Sequence, residues 1–390
     1  MTISSVQTSM SPIRTSGTST PSSSSQGKVV TQNRQNIWVG VRIRPPSEKQ
    51  LENVDSVTVR RVSEQVIEQI DRGARLTFNC VFDESSSNKE VYDCAARKIV
   101  LSAMKGKDGI VFAYGQSGSG KTHTMRAMIE EASREIFQYI ADAVNREFVI
   151  QVSALEIYNE VVYDQLSQIR EPLRVLDDPL KGTILDGLTY VPVTSIDQLA
   201  STVAKVEQVV ETTHKIVSSR SHQIVRLFIE NRPKQRPSQY GAHPAPSPLT
   251  LHSVLDFVDL AGSETYVAGG AGRQTIDQSL VVFDKVIRAL GAAASANQKC
   301  EKHVPYRDSC LTRVLQTSLG GNSRPAVLCT VSPAAAHSEQ TRNTLLFASH
   351  AALVANEENI NELLVSSPRL PLHSPRHRTV GRVQGALGER

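Results

Sequence analysis

The chain alternates short apolar runs with longer stretches in which apolar residues recur every three or four positions. The runs Ile37–Ile43, Ile110–Tyr114, Phe148–Tyr158, Gln223–Glu230, Leu251–Leu260 and Ala326–Val331 have the length and β-branched content of strands. Val91–Met104 and Met125–Val144 carry a helical period. Strands alternating with helices predict an α/β fold in one large domain: a central, mostly parallel or mixed sheet sandwiched by helices on both faces. Arg232–Pro248 holds five prolines and reads as a long surface loop, hairpin-like, between the two strands that flank it.

Both ends depart from this pattern. Residues 1–35 are dominated by Ser, Thr, Gly and Pro, with too few apolar side chains to offset the entropy of ordering them, which predicts a disordered tail. After Asn356 the apolar periodicity lapses, and Ser366–His377 mixes Pro, Ser and Arg without heptads. The expected division is a tail at 1–35, a folded domain at 36–356, and a neck-like segment and disordered tail at 357–390, with no coiled coil to couple two copies.

Composition narrows the function classes. Hydrophobic residues are 39% and charged residues 21% of 390, which excludes a wholly disordered, collagen-like or coiled-coil chain. A net charge of +4 is too small to drive nucleic-acid or membrane binding, so an acidic partner must meet a local patch. Cys80, Cys94, Cys300, Cys310 and Cys329 form no C-x-x-C pair and fit a reducing, intracellular setting. No stretch approaches the roughly 18 apolar residues of a membrane helix, and the first thirty residues hold no signal-peptide core, so secretion is not expected.

The sharpest chemical signal is GQSGSGKT, comprising Gly115, Gln116, Ser117, Gly118, Ser119, Gly120, Lys121 and Thr122. It matches G-x-x-x-x-G-K-[ST] between an apolar strand and a helical pattern, the context a phosphate-binding loop requires. Glycines let backbone N–H groups wrap a phosphate, the helix N-terminus adds partial positive charge, Lys121 reaches the outer phosphates, and Thr122 ligates Mg²⁺. Such a loop needs a carboxylate on a neighbouring strand, and VLDFVDLAG (Val254–Gly262) supplies Asp259, followed by the small Gly262. SSRSH (Ser218–His222) offers hydroxyls for the metal and phosphate, and Arg220 for pairing with Glu264. By itself SSRSH is a Ser-rich turn, and a strand ending in Asp is ordinary; beside an intact phosphate loop both become site candidates.

GQSGSGKTHTM, SSRSH and DLAGSE, in this order, resemble the kinesin motor domain. VRIRPP (Val41–Pro46), TFNCVFDE (Thr77–Glu84), LEIYNE (Leu155–Glu160), HVPYRDSCLTRVLQTSLGGN (His303–Asn322) and NTLLFA (Asn343–Ala348) extend the likeness over residues 36–356. The DDP-x-x-GT segment near Asp177 and SRSHQIVRL are most similar to the plant kinesin-7 group. The resemblance implies a P-loop NTPase fold, ATP with Mg²⁺, microtubule-stimulated ATP hydrolysis, microtubules as partner and a place on the cytoplasmic microtubule cytoskeleton. It implies that Arg42 and Pro45 form one wall of an adenine pocket and His123 the other. Ser218 and Ser219 would be a first switch, with Ser219 joining Thr122 and Asp259 at the metal. Asp259–Glu264 would be a second switch, and Lys121, Ser218, Ser219, Arg220, Gly262 and Glu264 the catalytic set. Loss of the γ-phosphate would tilt a helix at Thr275–Leu290 and dock or undock a neck-like segment near Ala352–Leu363, while Arg307 and Arg313 face acidic tubulin.

Several positions depart from the family pattern. Lys215 stands in place of an Asn ahead of the paired serines, Gly272 in place of a Glu, and Asp277, Gln278 and Cys310 replace usual residues of the filament-facing region. These substitutions motivate a second class of function, a microtubule-associated nucleotide-binding protein with weakened or lost motility. A switch GTPase, the third class, is disfavoured because the chain lacks an N-K-x-D guanine reader.

Overall fold

The computed structural model describes residues 34–46, 57–178, 182–213, 220–234, 249–263, 274–295 and 304–363. Two compact units divide the chain, Met1–Gln32 and Asn33–Arg390. The first lies outside the described residues, as does most of the tail expected there, and the second carries every element named below. The strands are β1 (Arg34–Asn36), β2 (Trp38–Ile43), β3 (Val59–Arg61), β4 (Val66–Gln69), β5 (Ala74–Thr77), β6 (Cys80–Phe82), β7 (Gly109–Tyr114), β8 (Arg146–Tyr158), β9 (Val161–Asp164), β10 (Pro172–Asp178), β11 (Gly182–Asp186), β12 (Val191–Val193), β13 (His222–Pro233), β14 (Thr250–Asp259), β15 (Arg324–Val331), β16 (Ala355–Glu357) and β17 (Glu362–Leu363). The helices are α1 (Asn88–Ala95), α2 (Arg97–Ala103), α3 (Lys121–Asp142), α4 (Ile196–Thr213), α5 (Gln274–Ser295), α6 (Cys310–Val314) and α7 (Ser338–Ala351).

β7 is the centre of the molecule. All six residues of GIVFAY are buried, as expected of a strand covered on both faces. Alternation sends Ile110, Phe112 and Tyr114 into one core with Phe283 of α5 and Phe347 of α7, and Val111 and Ala113 into the other with Met125 and Met128 of α3 and Val100 of α2. Tyr114 stacks on Phe347 with centroids 3.8 Å apart, which fixes α7 under the end of β7.

Among the described residues, twelve strands form one sheet ordered β11-β10-β9-β8-β13-β14-β7-β15-β2-β6, with β12 on β8 and β17 on β14. The pairs β14–β7, β7–β15, β15–β2 and β2–β6 are parallel, whereas β14–β13, β13–β8 and the strands beyond are antiparallel. The sheet is therefore mixed. Parallel neighbours on both sides of β7 open a crevice at its carboxyl end, where α/β sheets bind ligands.

Three details differ from the reading of the sequence. The helix expected at Val91–Met104 is two helices, α1 and α2, divided at Ala96 (φ −111°), and α1 begins at a Ser87–Glu90 capping box. β13 continues through Arg232 and Pro233, so the Pro-rich connection starts later; its two strands do pair antiparallel from Gln223↔Asp259 to Asn231↔Leu251. The ordered elements also reach past 36 and 356, because β1 pairs with β16 and β17 pairs with Thr250 and Leu251 of β14.

Candidate nucleotide site

The loop GQSGSGKT leaves β7 at Gly115, whose φ is +153° and whose missing Cβ would lie 2.2 Å from the Thr330 carbonyl. Only glycine fits there. Gly120, at φ +105°, is the N-cap of α3 and offers no side chain to bond the first N–H groups of the helix. A 22-residue helix therefore starts with its positive end and a first turn without a side-chain cap directed at the loop, an arrangement that suits a phosphate. Inside the loop, Ser119 Oγ bonds the Gln116 carbonyl at 2.7 Å and Thr330 Oγ1 at 2.6 Å, and Lys121 Nζ donates to the Gln116 carbonyl at 3.0 Å. Lys121 is buried, so its ammonium is held in the loop by a carbonyl dipole that an anionic phosphate would readily outcompete.

β14 lies beside β7, and Asp259, its last residue, is level with Ala113. Thr122 Oγ1 donates to Asp259 Oδ2 at 2.5 Å. Asp259 Oδ1 is buried and has no hydrogen-bond partner. Burial is the first cause raising the Asp259 pKa, against which the Thr122 hydroxyl, Lys121 and Arg126 pull it down. An orphaned carboxylate oxygen beside a threonine hydroxyl is a pair of hard oxygen donors, the donor set that suits Mg²⁺. The chain beyond Asp259 is laid along the phosphate loop: Leu260 N–H donates to the Ala113 carbonyl and Ser263 N–H to the Gly115 carbonyl, at 3.3 and 3.0 Å, with Gly262 buried between them.

Opposite the loop, Arg42 donates to Asn88 Oδ1 at 2.7 Å and Thr124 Oγ1 at 3.1 Å, which holds its guanidinium against the start of α3. Pro45 and His123 are both exposed nearby on β2's extension and α3's first turn. Arg220 is described and exposed, whereas Ser218, Ser219 and Glu264 lie outside the described residues, and with them the Arg220–Glu264 pair and Lys215 and Gly272. The structure thus brings together Arg42, the loop Gly115–Thr122, His123, Asp259 and Gly262.

Three residues near the loop are not assigned by sequence reasoning. Arg44 Nη1 donates to the Gly118 carbonyl at 2.7 Å, and Thr330 braces Ser119. His222 accepts from Ala261 N–H at Nδ1 (3.0 Å) and meets Ser279 Oγ at Nε2 (2.8 Å). Burial, and then Lys121, push the His222 pKa down to about 3, so the ring is neutral. A lone hydroxyl within the apolar run Ala326–Val331 was a signal for Thr330; nothing in the pattern singled out Arg44 from Arg42.

On the far side of α5, both arginines expected to face a partner converge on one acid. Arg307 Nη2 lies 3.4 Å from Asp177 Oδ2, and Arg313 Nη2 lies 3.3 Å from Asp177 Oδ1 and 3.2 Å from the Val175 carbonyl. Cys310 is half-buried, its thiol donating to the Glu160 carbonyl at 3.0 Å, while the Glu160 carboxylate accepts from Ser309 Oγ and Cys310 N–H. Cys310 therefore points into the β8–β9 turn. Gln278 Nε2 reaches the Asp308 carbonyl at 3.3 Å, and the Asp277 side chain lies outside the described residues.

Comparison with known proteins agrees with this geometry. The family described as the kinesin motor domain matches residues 42–354. The kinesin-like protein KIN-7A of Oryza sativa subsp. japonica is 40% identical over 371 residues, covering 91% of this chain but 37% of its own length. Among solved structures, a KIF14 dimer in its two-heads-bound state with AMP-PNP and a microtubule superposes with a TM-score of 0.74 at 29% identity, covering 84% of this chain and 97% of that one. A fast kinesin superposes at 0.73 and 30% identity, covering 90% and 99%. The chain thus spans well under half of the curated relative and nearly the whole of each solved chain.

Proposed function

The chain belongs to the kinesin motor-domain family and is similar to plant kinesin-7 members, and from that premise we propose that it hydrolyses ATP in response to microtubules and couples the cleavage to filament binding and movement. The observation that carries this reading is the Thr122–Asp259 pair with its unpartnered Oδ1, set at the open N-terminus of α3. Thr122, Asp259 and Ser219 are the residues that would hold Mg²⁺, which supplies neutralising charge for the β- and γ-phosphate oxygens.

The chain's own groups do the rest. Lys121 moves from the Gln116 carbonyl to the outer phosphates, and the N–H groups of Gly115–Thr122 bind the phosphate oxygens. Arg42 and Pro45 bound the base on one side and His123 on the other. The Arg220–Glu264 pair and the Ser218–Ser219 loop orient the attacking water, and Gly262 responds to loss of the γ-phosphate. We place the motor domain at 36–356, with β1 and the segment to Leu363 packed onto it, and the protein on the cytoplasmic microtubule cytoskeleton.

Arg307 and Arg313 are the cations assigned to acidic tubulin. Their shared contact with Asp177 favours a second, weaker reading, a nucleotide-binding microtubule protein with reduced motility. ATP turnover measured against rising microtubule concentration tests the main reading: turnover climbs, and Lys121→Ala abolishes it. Equal turnover with and without microtubules refutes the coupling. Gliding of filaments over tethered protein rejects the weaker reading.

A further inference from the structure

His222 opens β13, is 2% exposed, and has both ring nitrogens bonded to other segments of the chain. Ala261 N–H donates to Nδ1, so Nδ1 carries no proton and the single ring proton sits on Nε2, where it is donated to Ser279 Oγ. Ala261 is two residues past Asp259, in the stretch whose Ser263 N–H is bonded to Gly115 of the phosphate loop. Ser279 is buried on α5, one residue from Gln278, which reaches the turn carrying Arg307 and Asp308. The imidazole thus bonds the loop beside the phosphates to the helix beside the cationic surface.

We propose that His222 is a positioning residue that transmits displacement of the Asp259–Ser263 loop to α5. This rests on the function proposed above, which it deepens by naming the coupling element. The ring is rigid between its nitrogens, having no torsion to absorb a shift. If Ala261 moves by about 1 Å, a bond of 3.0 Å stretches beyond hydrogen-bonding range unless the ring follows, and Ser279 must then follow the ring. An aliphatic side chain of equal volume would fill the same space without forcing this correlation. It would also leave Ala261 N–H without its acceptor in the core.

Two substitutions divide the joint. His222→Asn retains an acceptor near the Nδ1 position and is too short to reach Ser279. Ser279→Ala cuts the same arm from the helix side while favouring helix. The measurements are binding of a fluorescent ATP analogue, hydrogen exchange across α5 with and without AMP-PNP, and the ratio of microtubule-stimulated to basal turnover. In each variant we expect nucleotide affinity within about threefold of the parent, loss of the nucleotide-dependent change in α5 exchange, and a stimulation ratio reduced about tenfold or more. The double variant is expected to be no worse than either single one, because both remove one bond.

An α5 response that survives in both variants overturns the proposal, as do additive losses in the double variant. A purely structural role predicts lower melting temperature and weaker nucleotide binding in proportion, with the α5 response intact in the folded fraction. That result also overturns it. If the parent shows no microtubule stimulation while its α5 exchange responds to AMP-PNP and the variants abolish that response, the motor reading fails and the joint stands.

Discussion

Asp259→Asn is the perturbation that most directly tests the site. In the nucleotide-free protein Asp259 is a buried carboxylate with one oxygen bonded to Thr122 and the other bonded to nothing. An unsatisfied buried polar atom costs about 1–3 kcal/mol, more when charged. Asparagine keeps an acceptor for Thr122 and removes the charge, so the variant without nucleotide should be more stable by about 1 kcal/mol, which for a domain this large is a rise in melting temperature of about 2 °C. The pH dependence follows from the direction of the Asp259 shift. Because burial raises its folded pKa above the unfolded value, protonation favours the folded state, and the parent gains stability as pH falls through that folded value. The advantage of the variant should therefore shrink as pH approaches the ordinary aspartate value of about 4. Adding ATP analogue and Mg²⁺ reverses the order: at about 100 times the dissociation constant the parent gains about 2.7 kcal/mol, and the variant gains much less. Calorimetry with and without Mg²⁺-nucleotide reads both effects. A nucleotide-free variant less stable than its parent would refute the orphaned-oxygen argument, and Mg²⁺-dependent turnover surviving in the variant would refute the metal assignment.

Arg226→Met strands the buried Asp256 carboxylate, which now accepts two guanidinium bonds at 2.8 and 2.7 Å; denaturant melts should show a loss of about 3–5 kcal/mol, largely recovered in Arg226→Met/Asp256→Leu. Asp177→Asn releases Arg307 and Arg313 from their shared acid, and co-sedimentation should show microtubule affinity about two- to tenfold tighter at low salt, converging with the parent at high salt; weaker binding would mean that Asp177 preorganises the arginines instead. Burial raises Asp108 to about 6 despite bonds from Val254 N–H and Asn361 Nδ2. Its folded pKa exceeds the unfolded one, so the parent should gain stability relative to Asp108→Asn, by about 1 kcal/mol between pH 7 and 5 in chemical denaturation, the rest of the gain coming only as pH falls further towards about 4. A flat difference across that window would contradict it.

The phosphate loop was legible because its geometry is enforced residue by residue: Gly115 and Gly120 hold dihedrals other residues avoid, and Gly115 also meets the Thr330 carbonyl, so the spacing of glycines is itself the structure. The central strand was legible because the five consecutive apolar residues Ile110–Tyr114 demand cover on both faces. The break at Ala96 was not, since neither Gly nor Pro marks it and the apolar period runs on through it. Nor was the small antiparallel sheet β3–β4–β5 predicted, where Glu68 draws Arg60 and Arg75 together at 2.6 and 3.0 Å through cross-strand pairing that no local pattern announces.

The same distinction explains which parts of the candidate site had to wait for coordinates. Asp259 could be suspected because it closes an apolar strand in a chain that also carries an intact phosphate loop, which needs a carboxylate on a neighbouring strand. Asp177 could not, because its meaning arises only where β10 is brought beside α6 and its carboxylate takes up both Arg307 and Arg313. The two arginines look like free cations in the sequence and share one acid in a surface ion cluster in the fold. Any grip on an acidic surface must then compete with an acid already in place, and its strength depends on a difference between two similar interactions. That difference is small and salt-sensitive, so a single carboxylate on a surface hairpin can set filament affinity without touching the nucleotide pocket.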